Sequence, residues 1–237
     1  MSEDNQSKIS RVLSPSPLVN WARQNFRRFD DTRKRVMRMA ENPPRHSLTQ
    51  VNAICADIAC RKLTPSKIED RIAEIENPFA RASAREVVPA FFALARERGF
   101  DGIQTPAHLS ISLPIGRGPD GKPLLIPLRP TFLIIDDAGL TPVFMIGWAR
   151  LALVDYQKQL ISTILENSYL SLQDYAGRHA EIFCFPRIKR TRYRHAVSWL
   201  THQIDQLEEV QIRQQFDCYS RAVIDVVKEL RRTESKP

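Results

Sequence analysis

Residues 186–195, PRIKRTRYRH, hold Arg187, Lys189, Arg190, Arg192 and Arg194, with Tyr193 among them, His195 at the end and no acid. A guanidinium is planar and donates two parallel hydrogen bonds to phosphate oxygens, while a tyrosine ring offers a face on which a base can stack. Those residue types at that density suit a nucleic-acid backbone; a solvated loop is the plainer reading of the same run. A second group, Arg23, Arg27, Arg28, Arg33, Lys34, Arg35 and Arg38, lies on an amphipathic segment with Trp21, Phe26 and Phe29. Its readings are a core-packing helix with a basic outer face, a nucleic-acid contact, or a membrane-surface helix. Asp30 and Asp31 in its middle oppose the last of these.

Other reactive side chains do not assemble into a catalytic or metal pattern. The histidines His46, His108, His179, His195 and His202 pair with no Cys or carboxylate at ligand spacing. His195 and His202 are seven apart, which would put them on one face of a helix. The cysteines Cys55, Cys60, Cys184 and Cys218 form no tight C-x-x-C unit and read as reduced, packed thiols. Ser112 and Ser162 lack the context of a nucleophile elbow. GRGPDGKP lacks the Walker spacing and leads into a strand rather than a helix. No catalytic residue, metal or cofactor is expected from these groups.

The elements that must position the basic runs can be read from periodicity. Of 237 residues, 43% are hydrophobic and 26% charged, which suits one large globular domain or a domain with a helical extension. The formal charge of +8 favours a polyanionic partner. The most apolar run, VFMIGWARLALV, is broken by Arg150 and is too short to span a bilayer. The polar start, with no apolar segment, does not read as a secretory leader. A cytoplasmic protein with no membrane partner is expected.

Residues 1–17 read as a disordered tail ending in SPSP, and residues 18–80 as a helical N-terminal region. One helix is expected over residues 18–40, stopped by ENPPRHS. LTQVNAICADIACRKL and SKIEDRIAEI follow, with a faint helix-turn-helix look that lacks the usual turn glycine. A third helix over residues 81–98 ends at Gly99. Then the period shifts to two: IQTPAHLSISLPIG, LLIPLRPTFLIID and PVFMIGWA read as strands. Helix returns over residues 153–170, and AEIFCFPRI reads as a buried strand. Residues 81–190 thus form an α/β core with a small mixed sheet of about four strands, and residues 191–237 a helical C-terminal region starting near Val197.

The order helix, strand, strand, strand, helix, strand over residues 82–188 resembles the core of the PD-(D/E)XK, or restriction-endonuclease-like, nuclease superfamily. The resemblance implies metal-dependent phosphodiester hydrolysis from a Pro-Asp on the second strand and an acid-x-Lys motif on the third. On this chain the Pro-Asp position matches Pro130-Thr131. The third-strand motif falls at Ile146-Gly147-Trp148 or one residue later, and neither register holds an acid or a lysine. The family's helix acid matches Glu86, for which a capping or solvated acid is the plainer reading, and its occasional helix glutamine matches Gln157. Asp137 shares a strand face with Thr131 but would lie roughly 20 Å away, so it cannot replace a ligand there. Asp136-Asp137-Ala138-Gly139 reads as a turn.

The resemblance therefore implies a nuclease-like protein without the usual hydrolytic machinery. Its expected partner is nucleic acid, DNA ahead of RNA, contacted by Arg187, Lys189, Arg190, Arg192, Tyr193 and Arg194. The alternative is a homodimer or protein-assembly module using Leu200, Ile204, Leu207, Val223, Val227 and Leu230. A metal-dependent nuclease with a relocated site stands third.

Overall fold

Asn77 and Gly99 bracket the longest helix of the N-terminal half, and both act by local chemistry. The Asn77 side chain accepts hydrogen bonds from the Phe79 and Ala80 amides, and Gly99 closes the helix with a left-handed φ of 60°. In a computed structural model this helix, α6, spans Pro78–Arg98. The structure describes residues 3–42, 47–99, 101–106, 109–136, 139–150, 153–175 and 177–233; His46, His108 and Asp137 lie outside them.

Before α6 come α1 (Glu3–Leu13), α2 (Leu18–Gln24), α3 (Phe29–Glu41), α4 (Thr49–Ala59) and α5 (Pro65–Ala73). After it come β1 (Asp101–Ile103), β2 (Ile111–Arg117), β3 (Pro123–Leu128), β4 (Phe132–Asp136) and β5 (Gly139–Ile146). Then follow α7 (Asp155–Ile164), a π-helical turn (Leu165–Tyr169), β6 (Glu181–Cys184), β7 (Val197–Leu200) and α8 (Glu209–Arg232). The fold is α/β, with helical regions at both ends. Five strands make a mixed sheet in the order β1-β4-β5-β6-β7, parallel only between β5 and β6, where α7 supplies the crossover. β2 and β3 form a separate antiparallel pair.

Strand alternation divides the interior into two cores, one on each face of the sheet. Leu133, Phe144, Ile146, Ile182 and Cys184 face α2, α3, α7, α8 and the β2–β3 pair. Phe132, Ile134, Val143, Met145 and Phe183 face α4, α5 and α6. In the second core Phe91 of α6 meets Phe132 and Phe185 edge-on, with ring centroids 5.7 and 6.1 Å apart. Truncating a ring so enclosed costs about 3–5 kcal/mol. Ile54, Ile58, Ile68 and Ile72 of α4 and α5 are buried in the same core, so this pair packs as ordinary helices on α6 rather than presenting a recognition helix.

Several expectations change. The tail expected to be disordered forms α1, which buries Ile9 and Val12; the Arg11 side chain donates to the Ala40 carbonyl. The single helix expected over residues 18–40 is broken between α2 and α3, where Asn25 donates to the Trp21 carbonyl at 2.6 Å and Thr32 binds the Phe26 backbone. The run LLIPLRPTFLIID is two strands in two different sheets, separated at Arg129-Pro130. Residues 197–200 are an edge strand rather than helix, paired from Cys184↔Val197 to Glu181↔Leu200. Four residues are too few to separate a period of two from one of 3.6. Among the described residues no helix is long and apolar enough to cross a membrane.

Candidate nucleic-acid interface

β6 runs into Pro186, and residues 186–195 fold back as a short hairpin. Arg187 and Arg194 face each other in an antiparallel bridge. The Ile188 amide donates to the Tyr193 carbonyl at 2.9 Å and the His195 amide to the Pro186 carbonyl at 3.3 Å, one on each side of that bridge. The turn is closed by the Thr191 amide donating to the Ile188 carbonyl at 3.1 Å, with Arg190 at a left-handed φ of 63°. The Thr191 hydroxyl also accepts from the Tyr193 amide. A basic loop thereby acquires a defined backbone.

One carboxylate anchors it. Arg187 donates twice to Glu86 of α6, at 2.9 and 2.6 Å, and Arg194 donates to the same carboxylate at 2.8 Å. Arg194 also donates to the Phe185 carbonyl at 2.8 Å, and its side chain is only 2% exposed. Burial pushes the Glu86 carboxyl up, but hydrogen bonds and charge from the two guanidinium groups outweigh it and hold the group below its ordinary range. Burial lowers Arg194 against the pull of Glu86, whereas Glu86 raises the more exposed Arg187. Glu86 is therefore neither a cap nor a solvated acid; it is the post to which the hairpin is tied.

The six residues expected to contact nucleic acid divide accordingly. Arg194 is committed to Glu86 and the backbone, and Arg187 is committed at one end while remaining exposed along its side. Lys189, Arg190, Arg192 and Tyr193 are exposed at the tip, and among the described residues these three cations make no ion pair. Arg85, next to Glu86 on α6, is exposed as well.

The positions matched to nuclease motifs serve packing. The Thr131 amide donates to the Val143 carbonyl at 2.6 Å, and its hydroxyl accepts from the Met145 amide at 3.2 Å, stitching the start of β4 to β5. Ile146 is buried. A side chain at Gly147 would meet Leu48 at 3.0 Å, and the Trp148 ring lies 4.5 Å from the Arg23 guanidinium. Gln157 is buried and donates to the Arg23 and Asn25 carbonyls at 3.1 Å, holding the α2–α3 break against α7. Of these residues only Glu86 is a carboxylate, and it is taken by two arginines. The donor set does not fit a divalent metal, which needs several free oxygen ligands. Among the described residues no group of three or more His, Cys, Asp or Glu side chains is arranged to hold a metal ion.

The second basic group disperses. Arg23 stacks on Trp148, Arg27 lies over Tyr156, and Arg33 pairs with Glu229 of α8. Val36 and Ala40 are buried, so α3 is a core-packing helix that leaves Arg28, Lys34 and Arg38 outside. Sequence spacing also hides two arrangements. Glu181, buried on β6, pairs with Arg98 at 2.7 Å across 83 residues. His202 does not share a helix with His195 but stacks on His179 at 3.9 Å, beside Glu166. Comparison with protein-family models, curated proteins and solved structures gives no match.

Proposed function

We propose that this chain is a non-catalytic, nuclease-like protein that binds nucleic acid, DNA ahead of RNA, through the tip of the 186–195 hairpin. The observation that carries the reading is the anchoring of that hairpin on Glu86. Two arginines hold its base, so Lys189, Arg190, Arg192 and Tyr193 are presented on an ordered backbone. Preordered cations lose less freedom on binding phosphate than cations on a slack loop. The nuclease-like part of the reading rests on the order α6, β1, β4, β5, α7, β6, which has the helix and strand succession of that core once the β2–β3 pair is set aside as an insertion. Hydrolysis by the superfamily's usual route is not proposed, because Thr131, Ile146, Gly147 and Trp148 offer neither carboxylate nor lysine. The unbridged cysteines support a reducing, cytoplasmic setting; burial pushes the Cys184 thiol up to about 12.

The assembly reading is the alternative; of its residues Leu207, Val223, Val227 and Leu230 are buried within the chain, while Leu200 and Ile204 are partly exposed. Fluorescence anisotropy with labelled DNA and RNA, in Mg²⁺, separates the possibilities. Salt-sensitive binding to intact probe, weakened at least tenfold in Arg190→Glu/Arg192→Glu, is the expected result. Unchanged affinity in that variant removes the hairpin from the interface, and cleaved probe overturns the non-catalytic reading.

A further inference from the structure

The outward face of the hairpin carries an observation that phosphate binding does not use. Residues opposite each other in an antiparallel pair share a side, and the next pair along points the other way. Arg187 and Arg194 both turn toward Glu86 on α6, so Ile188 and Tyr193, the next facing pair, turn away from the body of the protein. Ile188 is 45% exposed and Tyr193 is 76% exposed. Among the described residues the Tyr193 ring has no aromatic or cation partner, so its exposure is not explained by packing.

From this geometry we infer that Ile188 and Tyr193 form a stacking platform for an unpaired base, and that the preferred ligand is single-stranded or frayed nucleic acid rather than continuous duplex. The inference rests on the nucleic-acid reading above and specifies its ligand. Charge complementarity comes from Lys189, Arg190 and Arg192, which lie within four residues of the platform and can hold the flanking phosphates. In a duplex both faces of every internal base are already covered by its neighbours. A tyrosine ring then finds only base edges and sugar, unless a step is unstacked first. An unpaired base has its faces free, and stacking on an exposed ring tolerates any base and either sugar. A platform whose backbone is already set by the Glu86 anchor needs little ordering to receive it.

The experiment compares the full chain on a labelled single strand, the same sequence as blunt duplex, and a duplex with a single-stranded overhang, by anisotropy at each step of one salt series. The single strand and the overhang are expected to bind more tightly than the blunt duplex. Tyr193→Ala should weaken single-strand binding about tenfold while changing duplex binding little, Tyr193→Phe should retain it, and Tyr193→Trp should match or strengthen it. If Tyr193→Ala leaves single-strand binding unchanged, or weakens single strand and duplex equally, the platform is overturned. Should Arg190→Glu/Arg192→Glu still weaken both ligands in that case, the phosphate contact survives without the platform. Absence of salt-sensitive binding to all three probes overturns the interface itself. The Phe and Trp variants keep a ring on the hairpin, so a folding defect in Tyr193→Ala cannot imitate the expected pattern.

Discussion

At the residue scale the decisive group is Glu86, because one carboxylate pairs with two arginines brought together by a chain reversal. Its side chain is 12% exposed and Arg194 opposite it is more enclosed still. Glu86→Ala would strand that guanidinium, leaving only the Phe185 carbonyl as partner, and is expected to cost about 3 kcal/mol in urea denaturation. The pH dependence has a definite sign. The folded-state carboxyl is held below its ordinary value, so its contribution is fully present above the unfolded value of about 4.3 and is lost as pH falls through the folded one. The stability gap between the native chain and Glu86→Gln should therefore be constant from pH 7 to about 5 and shrink as pH falls below the unfolded value of about 4.3, until the native carboxylate is protonated too. A gap unchanged at pH 3 would mean the pair contributes nothing through charge. Glu86 could be picked out from sequence as a position on the first core helix, but not in its role. Arg187 and Arg194 are 101 and 108 residues away, and only the fold brings them to it.

At the element scale, what could be read in sequence is what repeats along the chain. α4, α5, α6 and α8 carry sustained apolar periods, and β5 and β6 carry dense apolar runs, so their type follows from pattern alone. α1 escapes because, among its described side chains, only Ile9 and Val12 are buried in a polar segment, and its docking on α3 and α8 comes from tertiary contact. β1 escapes for another reason: it has three residues, and its place depends on a missing side chain. A Cβ at Gly102 would lie 2.8 Å from the Ala59 carbonyl oxygen at the end of α4 and 2.9 Å from the Ala59 carbonyl carbon. Backbone cannot swing aside as a flexible side-chain tip can. Gly102→Ala should therefore push β1 off α4 and cost about 1–3 kcal/mol, with a lowered thermal midpoint and faster exchange of the amides paired between β1 and β4. A neutral substitution would show that the α4–β1 contact has slack.

At the scale of the whole molecule the question is how much of the net charge of +8 is free for the proposed nucleic-acid ligand. Composition alone would spread the surplus over the surface, but the fold spends much of the arginine on itself. Arg33 and Arg98 close on α8 and β6, Arg23 and Arg27 cover aromatic rings, and Arg187 and Arg194 share Glu86. On the hairpin Lys189, Arg190 and Arg192 remain; at the start of α3 and along it, Arg28, Lys34 and Arg38. The salt dependence of binding counts how many phosphates are neutralised. With the hairpin alone, three contacts give a slope of log affinity against log salt of about −2 on single strands and about −3 on duplex. If the α3 face joins it, six contacts give about −4 and about −5. We expect the shallower pair of slopes, because α3 holds Asp30 and Asp31 in its first turn while the hairpin has no acid of its own. Arg190→Glu/Arg192→Glu should then remove most of the slope. A steep slope that survives that substitution would place the main contact on α3 and make the hairpin an anchored loop with an exposed tyrosine but no phosphate to hold.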